Sequence, residues 1–406
     1  MKSARLADWL IESGLRNLPL EELIDGFARR LNESGIAAAR LFVGMNTLHP
    51  LVRARSVIWD RATGPATRFE FQHAEFDAPI IAQSPFAAML REGIAERRLD
   101  LTLPATEGEA PLFAELRAAG MTAYLGRIFP FGELAPKVQE PAVAEAAGQL
   151  YLACSISTDR PGGFSESEMA ELGGILPLFA LAVKAITVRA IGQGLLASYL
   201  GTDPAARVFA GTVQRGEVQG VEAVLFYADL RDFTGFADRL PPRELISLLD
   251  NCFDCMVRPL TRRGGEILKF MGDGLLAVFS TEWRRRDETC ALALTAASEA
   301  LDLMDLLAEE RRKAGQPTPG LDIALHVGKV LYGNVGTDAR LDFTVIGPAV
   351  NEAARIELLC KELGQNLLVS QAFAAAAERS RDHLVSLGCH RLRGVREETE
   401  LFTLAR

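Results

Sequence analysis

The stretch "FYADLRDFTGF" at 226–236 begins as the end of an apolar strand and turns acidic at once. Val224, Leu225, Phe226, Tyr227 and Ala228 carry the chain through a core, and Asp229 stands where the strand leaves it. A carboxylate there loses solvation, so it calls for a partner such as a metal ion or a cation. Taken alone, Asp229 reads as a strand-end turn residue, because Asp is a common turn former.

A second stretch changes that reading. "GGEILKFMGDGLLAVFS" at 264–280 is two apolar strands joined by a hairpin with Asp273 at its tip. Asp-Gly is ordinary hairpin chemistry. Two adjacent strands that each end in an acid, however, would bring Asp229 and Asp273 close enough to share ions, as a two-metal phosphoryl-transfer site requires. Helical patterns fill 242–262 and 287–313, the second closed by "RRKAG" with cations in its last turn. In "LDIALHVGKVLYGNVGTDARLDFTVIGPAVNEAARIE" at 321–357, two strands surround a glycine-rich loop, and a helix begins near Pro348. Asn351 and Arg355, four residues apart, share one face of that helix.

Composition sets the frame. With 406 residues, 49% hydrophobic and 24% charged, the chain can build two or three domains, each with a core. The net charge of −9 and the lack of a basic run longer than Arg284–Arg286 argue against a nucleic-acid partner. Cys154, Cys252, Cys255, Cys290, Cys360 and Cys389 lie scattered in apolar stretches, and the start "MKSARLADWL" has no signal-like segment, so a reducing cytoplasm is the expected compartment and disulfides are not expected. "CFDC" at 252–255 has zinc-like spacing, but it lies inside a helical pattern with no second Cys or His pair, so it reads as helix cysteines. No membrane span is expected, because the most apolar run, 175–188, is short and carries Lys184.

Residues 1–190 alternate helical patterns (4–14, 20–34, 83–92, 110–119 and a closing helix from 165 to about 190) with five strands, implying a sheet flanked by helices. Ser165 and Glu168 form a capping box ahead of the last helix. The segment "LYLACSISTDRPGGFSESEMAELGGILPLFALAVKAI" at 150–186 resembles a GAF-type α/β sensor domain. That resemblance implies a cavity for an unidentified small ligand, or a surface for a protein partner or for dimerisation. His49 and His73, the histidines of this half, read as structural residues. Residues 191–220, rich in glycine and with Asp203-Pro204 breaking the helix, read as a connector between sensor and catalytic domains.

Residues 221–406 resemble a class III nucleotidyl cyclase catalytic domain, through "FYADLRDFTGF", "GGEILKFMGDGLLAVF", "ALHVGKVLYGNVG" and "DFTVIGPAVNEAARIE" in that family's order. The resemblance implies an α+β fold with a ferredoxin-like core, working as a head-to-tail homodimer with active sites at the subunit interface. It implies that Asp229 and Asp273 hold two Mg²⁺ or Mn²⁺ ions, and that the amides of Phe233 and Thr234 cradle a triphosphate. From the partner subunit, Lys269 and Thr344 would read the purine, Asn351 would position the ribose, and Arg355 would stabilise charge on the α-phosphate. The Lys269/Thr344 pair points to ATP and thus to an adenylate cyclase. A guanylate cyclase and a catalytically silent nucleotide-binding regulator stay open as alternatives. Asp232 replaces a usual glycine and is expected to face solvent. Arg393 and Arg396 are both candidates for a triphosphate-binding cation.

Overall fold

The computed structural model describes residues 2–73, 82–131, 150–282, 284–394 and 398–405. Two compact units divide the chain, Met1–Ser198 and Tyr199–Arg406.

In the first unit, helices α1 (Lys2–Leu15) and α2 (Leu20–Ser34) precede strands β1 (Arg40–Asn46), β2 (Val52–Asp60) and β3 (Gly64–Gln72). Helix α3 (Pro85–Glu92), β4 (Glu96–Asp100), α4 (Pro111–Ala118), β5 (Ala123–Pro130), β6 (Tyr151–Thr158) and α5 (Glu166–Leu200) follow. The strands form one sheet in the order β3-β2-β1-β6-β5-β4. Leu6, Leu10, Leu23, Phe27 and Phe179 join the buried residues of β1 and β6 in one core, with Phe27 and Phe179 stacked at 4.2 Å. Strand β4, "ERRLD", went unread in the sequence because it is a charged edge strand.

Helix α5 departs from expectation in two ways. The capping box is present: Glu168 N–H donates to Ser165 Oγ at 3.3 Å, and Ser165 N–H donates to Glu168 Oε2 at 2.8 Å. The helix then runs past 190 through Gly192 and Gly194 to Leu200, and the break comes at Gly201, where φ is 94°. Lys184 does not interrupt it, so by length and composition α5 is long and apolar enough to cross a membrane, which corrects the expectation that no segment is. In this structure its Leu172, Ile175, Leu176, Phe179 and Val183 are buried in the first unit's core.

The second unit opens with α6 (Thr202–Phe209) and continues with β7 (Val218–Arg231), α7 (Phe233–Ala237), α8 (Pro242–Arg262), β8 (Glu266–Met271), β9 (Gly274–Ser280) and α9 (Arg286–Lys313). Next come β10 (Gly320–Thr337), β11 (Arg340–Ile346), α10 (Pro348–Glu357), α11 (Leu359–Leu363), β12 (Leu367–Ser370), α12 (Gln371–Ala376), β13 (Leu384–His390) and β14 (Thr399–Leu404). The run β7-α8-β8-β9-α9-β10, with strands lying β10-β7-β9-β8, is the expected βαββαβ arrangement. Strand β7 is apolar on both faces because both are covered. Val224, Phe226, Ala228 and Leu230 pack under α8 and α9, while Ala223, Leu225 and Tyr227 pack with Ala349 and Ala353 of α10. Cys252 is buried in α8, Cys255 is half-buried, and all six cysteines are free thiols.

The expected glycine-rich loop is instead the second half of β10, which pairs with β7 through Gly333↔Val218. The glycines admit close backbone approach: a Cβ on Gly333, at φ 153°, would lie 2.1 Å from Glu217 O. Replacing Gly333 with Ala is therefore expected to cost more than about 2 kcal/mol and to lower the urea midpoint of this unit. An unchanged midpoint would contradict the packing described.

Candidate active site

Asp229 belongs to the face of β7 that carries Leu225 and Tyr227, beneath α10. Antiparallel pairing with β9 sets Ala228 opposite Leu275 and brings the β8–β9 hairpin alongside. That hairpin has a two-residue turn, Gly272-Asp273, with Gly272 at φ 70° supplying the conformation that the first turn position needs. Gly274 follows, so close that a Cβ there would stand 2.6 Å from Ala228 O and 3.0 Å from Asp229 Oδ1. The turn thus brings the two carboxylates close to one another, and the Asp273 charge bears on Asp229.

Burial, and then the neighbouring Asp273 charge, push the Asp229 carboxyl up to about 6, against a Leu230 N–H that donates to its Oδ1 at 3.0 Å. Two further acids went unnoticed in the sequence. Asp322 lies directly across from Asp229 in the β7–β10 register and is buried, its charge met by the Arg231 guanidinium with Nε to Oδ2 at 2.9 Å. Glu357, 6% exposed at the end of α10, is pushed up to about 7 by burial and then by Asp229, Asp322 and Asp273. Its signal was the apolar stripe Ala349, Ala353, Ile356, Cys360, which places Glu357 on the buried side of its helix.

Hard carboxylate oxygens, partly desolvated and mutually repelling, suit a hard divalent cation. Among the described residues no group of three or more His, Cys, Asp or Glu side chains is arranged to hold a metal ion; Asp229 and Asp273 are two neighbouring carboxylates that could contribute oxygens to one.

Phe233 and Thr234 open α7, where the first N–H groups of a helix have no intrahelical acceptor. Asp232 precedes them at φ 60°, which explains why a glycine suits this position. As expected it is exposed, and its Oδ1 accepts from Lys361 Nζ at 2.6 Å. On the neighbouring strands, Lys269 Nζ lies 2.8 Å from Asp342 Oδ2, and Thr344 follows two residues along β11. Asn351 and Arg355 share one face of α10. Arg393 is exposed, while Arg396 falls outside the described residues.

Below α10, buried His326 on β10 accepts or donates at Nδ1 to Ser370 Oγ (2.9 Å), and its Nε2 faces Glu352 Oε2 at 3.5 Å. Ser370 Oγ accepts from Phe373 N–H, so its own proton is free to go to Nδ1, which leaves the Nε2 proton facing Glu352. Burial pushes His326 down to about 4, keeping it neutral.

Folding favours the protonated forms of Asp229 and Glu357. In protein stripped of metal, their contribution to stability is full below the ordinary values of 3.8 and 4.5 and is lost as pH rises through about 6 and about 7. Asp229→Asn removes one repelling charge, so its thermal midpoint in chelator near pH 8 is expected to exceed that of the wild type. Calorimetry showing a lower midpoint would contradict this electrostatic picture.

Residues 217–406 match the family described as "Adenylate and Guanylate cyclase catalytic domain". Over 164 residues the chain is 32% identical to an adenylate cyclase of Anabaena cylindrica, covering 39% of this chain and 32% of that relative. Among solved structures, the adenylyl cyclase CyaB of P. aeruginosa aligns over 47% of this chain and 96% of its own, at 24% identity and a TM-score of 0.41. The guanylyl cyclase Cya2 aligns over 46% and 93%, at 25% identity and a TM-score of 0.41. The chain spans less than half the length of the curated relatives it matches. Residues 217–406 carry an adenylate/guanylate cyclase catalytic domain.

Proposed function

We propose that the chain is an adenylate cyclase that converts ATP to 3′,5′-cyclic AMP and pyrophosphate, under control of a GAF-like N-terminal domain. The observation that carries this reading is the partly buried Asp229 with Asp273 beside it, at one end of the sheet in a cyclase domain. Asp229 and Asp273 would hold two divalent cations, Mg²⁺ or Mn²⁺, whose chemistry would be to neutralise phosphate charge and acidify the ribose 3′-hydroxyl. The 3′-oxygen forms a bond to the α-phosphorus, the bond from that phosphorus to the oxygen bridging to the β-phosphate breaks, pyrophosphate leaves, and the hydroxyl proton passes to solvent water. The N–H groups of Phe233 and Thr234 hold the triphosphate. Asn351 positions the ribose, and the Arg355 guanidinium carries the charge that grows on the α-phosphate.

Purine recognition falls to Lys269 and Thr344. Asp342 orients the Lys269 ammonium, which can donate to adenine N1, while the Thr344 hydroxyl can accept from the N6 amino group.

The helix geometry supports a site shared between two copies. Glu357 faces the carboxylates of its own chain, and a helix turns about 200° in two residues, so Arg355, and Asn351 with it, are directed elsewhere. After burial, the neighbours that bear on the Asp229 carboxyl are acids and the Leu230 N–H. Exposed Phe270, Leu331, Leu341 and Ile346 on β8, β10 and β11 provide apolar surface for a second copy to cover.

Asp273→Ala is expected to lower turnover at least about a hundredfold while leaving the fold intact. Mixed Asp229→Ala and Arg355→Ala chains, each inactive alone, are expected to recover activity by forming one complete site per mixed dimer. No recovery on mixing would exclude the shared site, and persistent activity in Asp273→Ala would exclude the metal assignment.

A further inference from the structure

In the first unit, a cavity of about 230 Å³ opens between the α1–α2 junction, the sheet and the later part of α5. Its floor is apolar: Leu20, Met45 and Val57 are all buried, and Ile186 closes it from α5. Its rim carries Arg55, Arg68 and Arg189, and no carboxylate lines it among the described residues. Arg55 and Arg68 are oriented by glutamates outside the lining, Arg55 Nε to Glu70 Oε1 at 2.8 Å and Arg68 Nε to Glu21 Oε1. Both contacts use Nε, so the terminal N–H groups of each fork remain to take a second anion. Inside, the buried Thr187 hydroxyl donates to Met45 Sδ at 3.0 Å, and a thioether is a weak acceptor for it. Asn17, at the wall, holds φ 51°; apart from Asp232 it is the one non-glycine at positive φ among the described residues.

An apolar floor with a few polar groups that fix orientation is the form of a small-molecule site. The sign of its rim and a buried hydroxyl whose present acceptor is a thioether specify the ligand. We propose that this cavity binds a small amphipathic carboxylate, with the acyl body on Met45 and Val57 and the carboxylate between the arginine rim and the Thr187 hydroxyl. The guanidinium fork matches a carboxylate in two-point contact, and Thr187 gains a charged acceptor in place of sulfur. Because Ile186, Thr187, Arg189 and Ala190 belong to α5, the ligand rests directly on the helix that ends the unit.

The test is calorimetric titration of the full chain with octanoate and, separately, with its neutral amide, so it does not depend on the reaction assigned to the second unit. One octanoate per chain is expected to bind saturably, at least tenfold more tightly than octanamide. Arg55→Gln combined with Arg68→Gln should weaken octanoate at least tenfold and leave octanamide unchanged. Ala190→Trp, which fills the cavity from α5, should abolish binding of both; should that variant fail to fold, the double arginine variant decides. Absence of saturable octanoate binding, equal affinity for acid and amide, or unchanged octanoate affinity in the double arginine variant would overturn the proposal.

Discussion

The second unit is organised around a cost, the charge on Asp229. An apolar strand covered on both faces delivers this carboxylate to the edge of the core, and a tight turn sets Asp273 against it. Neither side chain relieves the other, and Asp322 and Glu357 deepen the negative potential, although Arg231 answers Asp322. A fold optimised for stability alone would place no such cluster here, and unrelieved charge of this kind clusters at functional sites. Gly274 serves the same end, since any larger residue would force β9 away from Asp229.

Much of this was legible in the residues, for identifiable reasons. The run 224–228 is apolar without alternation, which marks a strand buried on both faces, and the spacing within 242–262 marks a one-sided helix. Both are local signals. The glycines of β10 misled because glycine commonly punctuates a chain, whereas here Gly333 and Gly336 permit neighbouring backbones to approach. Lys184, Gly192 and Gly194 misled in the opposite direction, since a long helix tolerates all three. Asp322 and Glu357 were hidden for a different reason. Whether they belong to the site depends on the register between β7 and β10 and on which side of α10 is buried, and neither is a property of a short sequence window.

The residues of the proposed reaction are carried by separate elements of the second unit. The carboxylates and the amides of α7 lie at one end of the sheet, while Lys269 with Thr344 and Asn351 with Arg355 are carried by β8, β11 and the opposite side of α10. His326, hydrogen-bonded to Ser370, faces Glu352 of α10. A site assembled from two half-sites offers control by small changes in how they meet, because a guanidinium is effective on a phosphate only within hydrogen-bonding distance.

The most direct test of this account is product analysis. Purified full-length chain is supplied with ATP or GTP in Mn²⁺ and in Mg²⁺, and the products are separated chromatographically. The account predicts cyclic AMP and an equimolar amount of pyrophosphate from ATP, with little cyclic product from GTP. Cyclic GMP as the main product would contradict the purine assignment of Lys269 and Thr344, and no cyclic nucleotide under any of these conditions would contradict the catalytic reading of Asp229 and Asp273.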